Sequence, residues 1–375
     1  MKKSLYMTTA LAAAGVLALG ATDAAAAEKA KKMSIANGGF FKTTFGFSKN
    51  DGSYESTNNA TARTHYDSFD IKNDSEIYFK GKTTLDSGVK VDVVVQFETD
   101  ATNGGATIDE SYIKFTTKGF GHIALGTTKA GSFFTKHVSP LPGAVGFNPD
   151  TLNWVSRPAA LGYTAGTNIG AGDAMKIRYV SESFSGFTLG GSYTPSNTAN
   201  NLMPAVGGTA GTETQTYDIG LKYKTKMGAS SVGVDVGYWE THGAAANSLK
   251  SLRFGGELVI GDIKIGGAYK DTSDLDSASS LSGDPTNESE AYEVGIQYTA
   301  GDVKIGLAYI NEVRPMTATA GDDEETFYAL GASYKIGNGV DLLGTLIRVD
   351  WDDEGTALAN NNDGWALVGG IKVSF

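Results

Sequence analysis

The side chains best suited to act on solutes are charged residues that alternate with apolar ones. Lys90, Asp92 and Glu98 fall on one face of an extended segment whose other face carries valines and a phenylalanine. Opposite charges that face each other across a passage create a transverse field, which orders water and selects solutes by charge. The candidates for such a role are the basic Lys90, Lys114, Lys176, Arg178, Arg253 and Arg348 and the acidic Asp92, Glu98 and Glu257, which would line a passage if the strands enclose one.

Enzyme chemistry has little support in the sequence. The four histidines are scattered without the spacing of metal ligands, and there is no cysteine. A formal charge of −11 without a basic block argues against nucleic acid as a partner. The stretch that begins at Asp350 starts like a calcium loop, but its twelfth position is Asn361 rather than Glu, so the pattern fails. We therefore predict no catalytic residues, no metal site and no cofactor.

The elements that position these charges are strands. Apolar residues recur with a period of two, for example at Tyr292, Val294, Ile296 and Tyr298, and aromatic rings fall at the strand ends. Short turns rich in Gly, Asp, Asn and Ser alternate with long polar connections. This layout is typical of barrels that turn their apolar face toward lipid. The pattern predicts an all-β fold, a transmembrane antiparallel β-barrel of about 16 strands with a water-filled channel.

The N-terminus has the features of an export signal. Lys2 and Lys3 precede a short apolar stretch, and Ala25, Ala26 and Ala27 offer a cleavage site of small residues. The stretch is too short to cross a bilayer as a helix. We predict a cleaved signal peptide over residues 1–27 and a barrel domain over residues 28–375.

One predicted connection, at about residues 128–174, is much longer than the others, and such loops are usually functional. We select Asp150, Trp154 and Asp173 as its candidate site residues. Lys176 and Arg178 follow it directly, and with Arg253 and Arg348 they are expected to form a basic wall opposite Asp150 and Asp173.

The chain resembles the general diffusion porins of Gram-negative bacteria. The resemblance rests on the leader, on DESYIKFTTKGFGHIALGTTKAG (109–131) before the long connection, and on the terminal IKVSF. It implies a homotrimer of sixteen-stranded barrels in the outer membrane, with the third long loop folded into the lumen. It also implies that Phe375 serves as a signal for the barrel-assembly machinery. The Pro-Glu-Phe-Gly-Gly stretch that many enterobacterial members carry in that loop is absent, and the ion preference is left open.

Three functions remain open at this stage. The first is a passive channel for ions and small hydrophilic solutes, surrounded by outer-membrane lipid and lipopolysaccharide. The second is a substrate-selective channel for a sugar or a phosphate-like anion, and the third is a surface structural protein such as an adhesin. The terminal Phe375 and the two sets of rings favour a channel over an adhesin.

Overall fold

A computed structural model describes residues 31–57, 68–99, 107–146, 153–158, 167–196, 213–243, 248–274, 288–314, 321–355 and 357–375. The predicted signal peptide, residues 1–27, lies outside this range. Within the described residues, no helix is both long and apolar enough to cross a membrane.

Sixteen strands dominate the described chain. They are β1 (Lys31–Lys49), β2 (Phe69–Thr84), β3 (Lys90–Glu98), β4 (Thr107–Thr117), β5 (Gly121–Thr127), β6 (Met175–Ser181), β7 (Phe187–Thr194), β8 (Glu213–Met227), β9 (Ser230–Gly243), β10 (Ser248–Ile260), β11 (Ile263–Asp274), β12 (Ser289–Ala300), β13 (Val303–Arg314), β14 (Asp323–Gly337), β15 (Val340–Asp352) and β16 (Asn362–Ser374). A short helix, α1 (Gly52–Thr57), follows β1, and a 3₁₀ turn (Ser132–Thr135) follows β5.

Each strand pairs antiparallel with the next, and β16 pairs with β1 to close a barrel. Phe375 extends this last pair, because its amide donates to the carbonyl of Gly39 at 3.1 Å and its carbonyl accepts from the Gly39 amide at 3.0 Å. Closure pairs each strand on both sides along the barrel, as a barrel in lipid requires. Residues 31–38 of β1 continue past the end of β16 and pair with β2 alone. The predicted all-β antiparallel barrel of about 16 strands is confirmed.

The two rims of the barrel differ as the sequence predicts. Short turns join β2–β3, β4–β5 and each later even–odd pair, and glycines with positive φ, such as Gly261 at +55° and Gly301 at +58°, allow the tightest of them. Longer connections join the strands at the opposite rim, except between β9 (ending at Gly243) and β10 (beginning at Ser248), where the connection is as short as the turns. We call these ends the short-turn rim and the long-loop rim.

The outer face of the barrel is apolar. Along β12, for example, Tyr292, Val294, Ile296 and Tyr298 are exposed, whereas Glu293 and Gly295 between them face the interior. Tyrosines meet at the ends of neighbouring strands, and the rings of Tyr309 and Tyr328 lie 5.0 Å apart near the long-loop rim. Exposed apolar side chains between two zones of aromatic rings are the expected surface of a lipid-embedded barrel.

Candidate functional site

The long connection between β5 and β6 lies against the interior face of the barrel. We call its continuously described part, residues 128–146, the inner segment. Its backbone amides donate to interior side chains of four strands: Ser132 N to Asp218 Oδ1 on β8 (2.6 Å), His137 N to Asp235 Oδ2 on β9 (2.7 Å), Ser139 N to Glu293 Oε1 on β12 (2.8 Å), and Ala144 N to Thr345 Oγ1 on β15 (2.8 Å). The inner segment thus crosses the inside of the barrel from β8 to β15.

Acidic residues of the wall act as acceptors for this segment. Asp235 accepts from the backbone of His137 and also contacts Nδ1 of its ring at 2.8 Å, and it pairs with Arg253 on β10. Asp218 also accepts a hydrogen bond from the hydroxyl of Ser192. Both carboxylates are buried. Buried backbone amides need acceptors, and these side chains supply them.

Basic residues of the wall bind the carbonyls of the long connection. Lys176 Nζ donates to the carbonyls of Thr128, of Gly172 (2.5 Å) and of Ala174 (2.6 Å), so it joins the beginning and the end of the connection. Arg178 donates to Thr128 Oγ1 at 2.7 Å and to the Lys129 carbonyl at 3.2 Å.

Arg253 completes this set of donors. Its Nε donates to the Thr167 carbonyl at 2.9 Å, and its two terminal nitrogens bond to Asp235 and to the His137 carbonyl. Lys176, Arg178 and Arg253 face the interior as the sequence predicts, but each is no more than 2% exposed. These three residues were predicted to line the pore as a basic wall; the long connection instead covers them and uses their hydrogen bonds.

The prediction for Arg348 is wrong in a different way. Its side chain lies on the outer face, 57% exposed, where it pairs with Asp363 at 2.7 Å. On β15 the exposed positions are even-numbered, as Leu346 shows, whereas Ile347 and Val349 point inward. Apolar residues occupy both faces of this strand, so the period-two pattern does not tell the two faces apart.

An apolar cluster that was not predicted from the sequence fills part of the interior. It combines residues of β13–β16 with residues of the long connection: Ile310, Phe327, Ile347, Val349, Trp351, Ala366 and Val368 with Ala144, Val145, Trp154 and Val155. Trp154, a predicted site residue, is 7% exposed in this cluster, and Lys72 Nζ lies 5.0 Å from its ring centroid. Asp150 lies outside the described residues. The signal for this cluster was the apolar character of both faces of β15.

Interior glycines let the inner segment approach the wall closely. A Cβ at Gly266 would lie 2.6 Å from the Val138 carbonyl oxygen, and one at Gly306 would lie 2.7 Å from Pro142 Cδ. A Cβ at Gly331 would overlap the Pro142 carbonyl oxygen. These distances are shorter than van der Waals contact, so side chains at these positions would push the segment away from the wall.

At the start and end of the connection, charges form compact groups. Lys129 pairs with Asp173 at 2.6 Å and lies 3.9 Å from Glu110. Burial opposes ionisation of Lys129, but the hydrogen bond and charge of Asp173, aided by Asp109 and Glu110, raise its pKa above the ordinary value. Lys136 is instead half-buried near Arg253, and desolvation followed by repulsion from the Arg253 charge lowers its pKa to about 8.

The remaining predicted charges face the interior, and three of them (Asp92, Lys114 and Glu257) form ion pairs. Lys114 pairs with Asp92 at 3.2 Å, and Glu257 lies between Lys224 (2.7 Å) and Lys264 (2.5 Å). Lys90 is exposed on the interior face of β3, and Glu98 faces the interior at the other end of that strand.

Lysines predominate on the interior face in the half of the barrel nearest the short-turn rim. They extend from strands on all sides: Lys80, Lys82, Lys90, Lys114, Lys222, Lys224, Lys264, Lys304, Lys335 and Lys372. The interior carboxylates beside these lysines include Asp92, Glu257 and Asp341, and Asp74 pairs with Lys42 next to Lys372. We call the ten lysines the lysine belt. It gives this half of the interior a positive charge.

The closed sixteen-stranded barrel, with an apolar outer face and a charged interior, defines a membrane channel. The sequence profile of the Gram-negative porins matches residues 8–354, and the chain belongs to this family. It is thus an outer-membrane channel for small solutes.

Solved structures of porins have the same fold. The anion-selective porin from Comamonas acidovorans is 17% identical, with a TM-score of 0.63 over 92% of this chain and 100% of that one. In-vitro folded OmpT, an outer-membrane protein of Vibrio cholerae described in its trimer form, is 16% identical, with a TM-score of 0.59 over 92% and 100%. Among curated proteins, none matches this chain.

The buried contact between Asp235 and Arg253 provides a first test. Asp235→Ala leaves Arg253 buried without its partner and removes the acceptor of the His137 amide, which should lower the free energy of unfolding by roughly 3–5 kcal/mol. Lys224→Ala is the matched control, because it removes an exposed partner of Glu257 and should cost less than about 1 kcal/mol. Denaturant unfolding in lipid vesicles measures both, and equal losses would contradict the assigned role of Asp235.

The close approach at Gly331 provides a second test. Gly331→Ala forces the inner segment off the wall at Pro142, and we expect a loss of roughly 1–3 kcal/mol with an altered single-channel conductance. Gly344→Ala is the control, since it faces outward on β15 and its added Cβ would meet no atom within 4 Å. Identical conductance and stability of the two variants would show that the inner segment does not lie where we describe it.

Proposed function

We propose that this protein is a passive, water-filled diffusion channel that favours small anions over cations. The observation that carries this proposal is the lysine belt, whose positive charge is balanced by few interior carboxylates in the same half of the barrel. Fixed charges in a confined aqueous passage raise the local concentration of counter-ions and so bias permeation.

The charges covered by the long connection contribute little to this preference. Lys176, Arg178 and Arg253 are buried, and so are Asp218, Asp235 and Glu293. These three positive and three negative charges cancel, so a permeating ion interacts mainly with the charged residues that the long connection does not cover. The exposed lysines Lys82, Lys90, Lys224, Lys304 and Lys335 then dominate.

A substrate-selective channel is the weaker candidate. A phosphate-specific site requires several cationic groups converging at one narrow point, whereas the lysine belt is spread around the wall. A sugar channel requires a ladder of aromatic rings along the passage, and most of the exposed rings here lie on the outer face. We also propose that the protein is not an enzyme.

We further propose the surroundings in which the channel works. The exposed apolar outer face suits outer-membrane lipid and lipopolysaccharide, and Phe375 at the barrel seam is available to the barrel-assembly machinery. Assembly as a homotrimer is supported by the trimer form described for the similar Vibrio cholerae protein.

The reversal potential across a planar bilayer under a KCl gradient tests the anion preference. We expect its sign to indicate chloride as the more permeant ion. The double variant Lys82→Glu with Lys90→Glu reverses two exposed interior charges and should shift the potential toward potassium. The double variant Lys49→Glu with Lys250→Glu makes the same change in net charge on the outer face and should keep the wild-type value.

Cation preference in the wild type would refute the role of the lysine belt. So would equal shifts in the two double variants, because an outer-face charge cannot act on the passage in the same way. Stepwise conductance in either case would still show that the protein forms a channel.

A further inference from the structure

Three carboxylates converge at the long-loop rim, away from the inner segment. Asp323 begins β14, and Asp353 and Glu354 directly follow β15. Each can offer one oxygen so that all three oxygens lie within 4.8 Å of one another. Gly321 packs against Glu354, and its φ of +145° with a Cβ position overlapping Glu354 means that a larger residue would separate the two connections. The grouping is thus part of how these connections pack.

The buried carboxylate of Asp323 indicates that a cation binds beside it. Asp323 is only 4% exposed, and within the described residues neither of its carboxylate oxygens accepts a hydrogen bond from an amide, a hydroxyl or a basic group. Arg314 is opposite it in the β13–β14 register but donates to neither oxygen. A buried carboxylate is strongly unfavourable unless it is paired or coordinates a metal ion. Here its neighbours in the cluster are two further carboxylates, which increase the need for a cation.

Asp353 is held in place by its own loop. Its Oδ2 accepts from Asn360 Nδ2 at 3.0 Å and from the Gly355 amide at 3.1 Å, and its own amide donates to Asn361 Oδ1 at 2.9 Å. Asn361, which breaks the calcium-loop pattern in the sequence, therefore orients the backbone beside the cluster. Such bonds reduce the entropy lost when a carboxylate binds an ion.

We propose that Asp323, Asp353 and Glu354 bind one calcium ion that joins the start of β14 to the β15–β16 connection. Oxygen-only ligands suit a hard divalent cation, and water would complete the six to eight ligands that Ca²⁺ takes. Mg²⁺ demands near-ideal octahedral geometry and fits an irregular set of carboxylates less well. The exposed carboxylates of Glu324 and Asp352 nearby add to the attraction. The sequence predicts no metal site, although Asp323 and Asp353 lie one step beyond the Glu324–Asp352 pair of the β14–β15 hairpin.

Calcium titration of the protein tests this site. The chain is refolded into detergent from inclusion bodies free of lipopolysaccharide, whose phosphates would otherwise bind the ion, and calcium is removed with a chelating resin. Isothermal titration with CaCl₂ should then give one ion per chain with a dissociation constant of about 10⁻⁴–10⁻³ M, the range of extracellular calcium modules. MgCl₂ should bind more weakly. The absence of saturable binding up to about 10 mM CaCl₂ would overturn the proposal.

Variants separate this site from general attraction to acidic loops. Asp323→Asn should weaken calcium binding by about tenfold or more, because it removes the buried charge of the cluster. Asp322→Asn removes the adjacent, exposed carboxylate and should bind as the wild type does. Equal affinities of these two variants would refute the assignment.

Folding of each variant is checked by its heat-modifiable migration on gels. If Asp323→Asn does not fold, Glu354→Gln takes its place, and wild-type affinity in that variant would overturn the proposal. Calcium should also raise the unfolding temperature of the wild type and of Asp322→Asn, and not that of the site variant. The anion preference depends on other residues. The outcome of the calcium titration therefore does not determine the sign of the reversal potential, and the reverse also holds.

Discussion

The interior of this barrel depends on one constraint, which is that a chain segment packed inside it must satisfy its backbone hydrogen bonds. The inner segment is not a strand or a long helix, so the acceptors for its amides come from the wall. Asp218, Asp235, Glu293 and Thr345 supply them at 2.6–2.8 Å. Lysine and arginine side chains bind the carbonyls in the same way. The cost of burying these charged groups is offset because almost every one has a partner of opposite charge or a backbone dipole.

This arrangement divides the interior charges into two groups with different effects. Buried charges such as Arg253 and Asp235 fix the long connection against the wall, and interior glycines and the apolar cluster around Trp154 let it lie close. Charges that remain uncovered, above all the lysine belt, act on solutes. Changing a residue of the first group should alter the shape of the passage, and changing one of the second should alter its charge preference.

The sequence was sufficient for the barrel, because an alternating pattern repeated over the whole chain follows directly from one face in lipid and one in water. It assigned interior positions such as Lys90, Asp92 and Glu257 to the face where they lie. It was not sufficient to tell which interior residues the long connection covers, since that depends on contacts between residues some 90 to 200 positions apart. Arg348 was misplaced because β15 is apolar on both faces. Asp323 and Asp353 lie opposite each other one step beyond the Glu324–Asp352 pair of the β14–β15 hairpin, a proximity that follows from the register of this hairpin.

Amide hydrogen exchange of the folded protein in detergent, resolved to single residues, tests the central claim most directly. If wall side chains bind the inner segment, the amides of Ser132, His137, Ser139 and Ala144 should exchange slowly, within roughly tenfold of amides in the middle of strands. Gly228, in an exposed short turn, provides the fast reference. Exchange of those four amides as fast as that of Gly228 would contradict the account, because it would mean that the segment is not bonded to the wall.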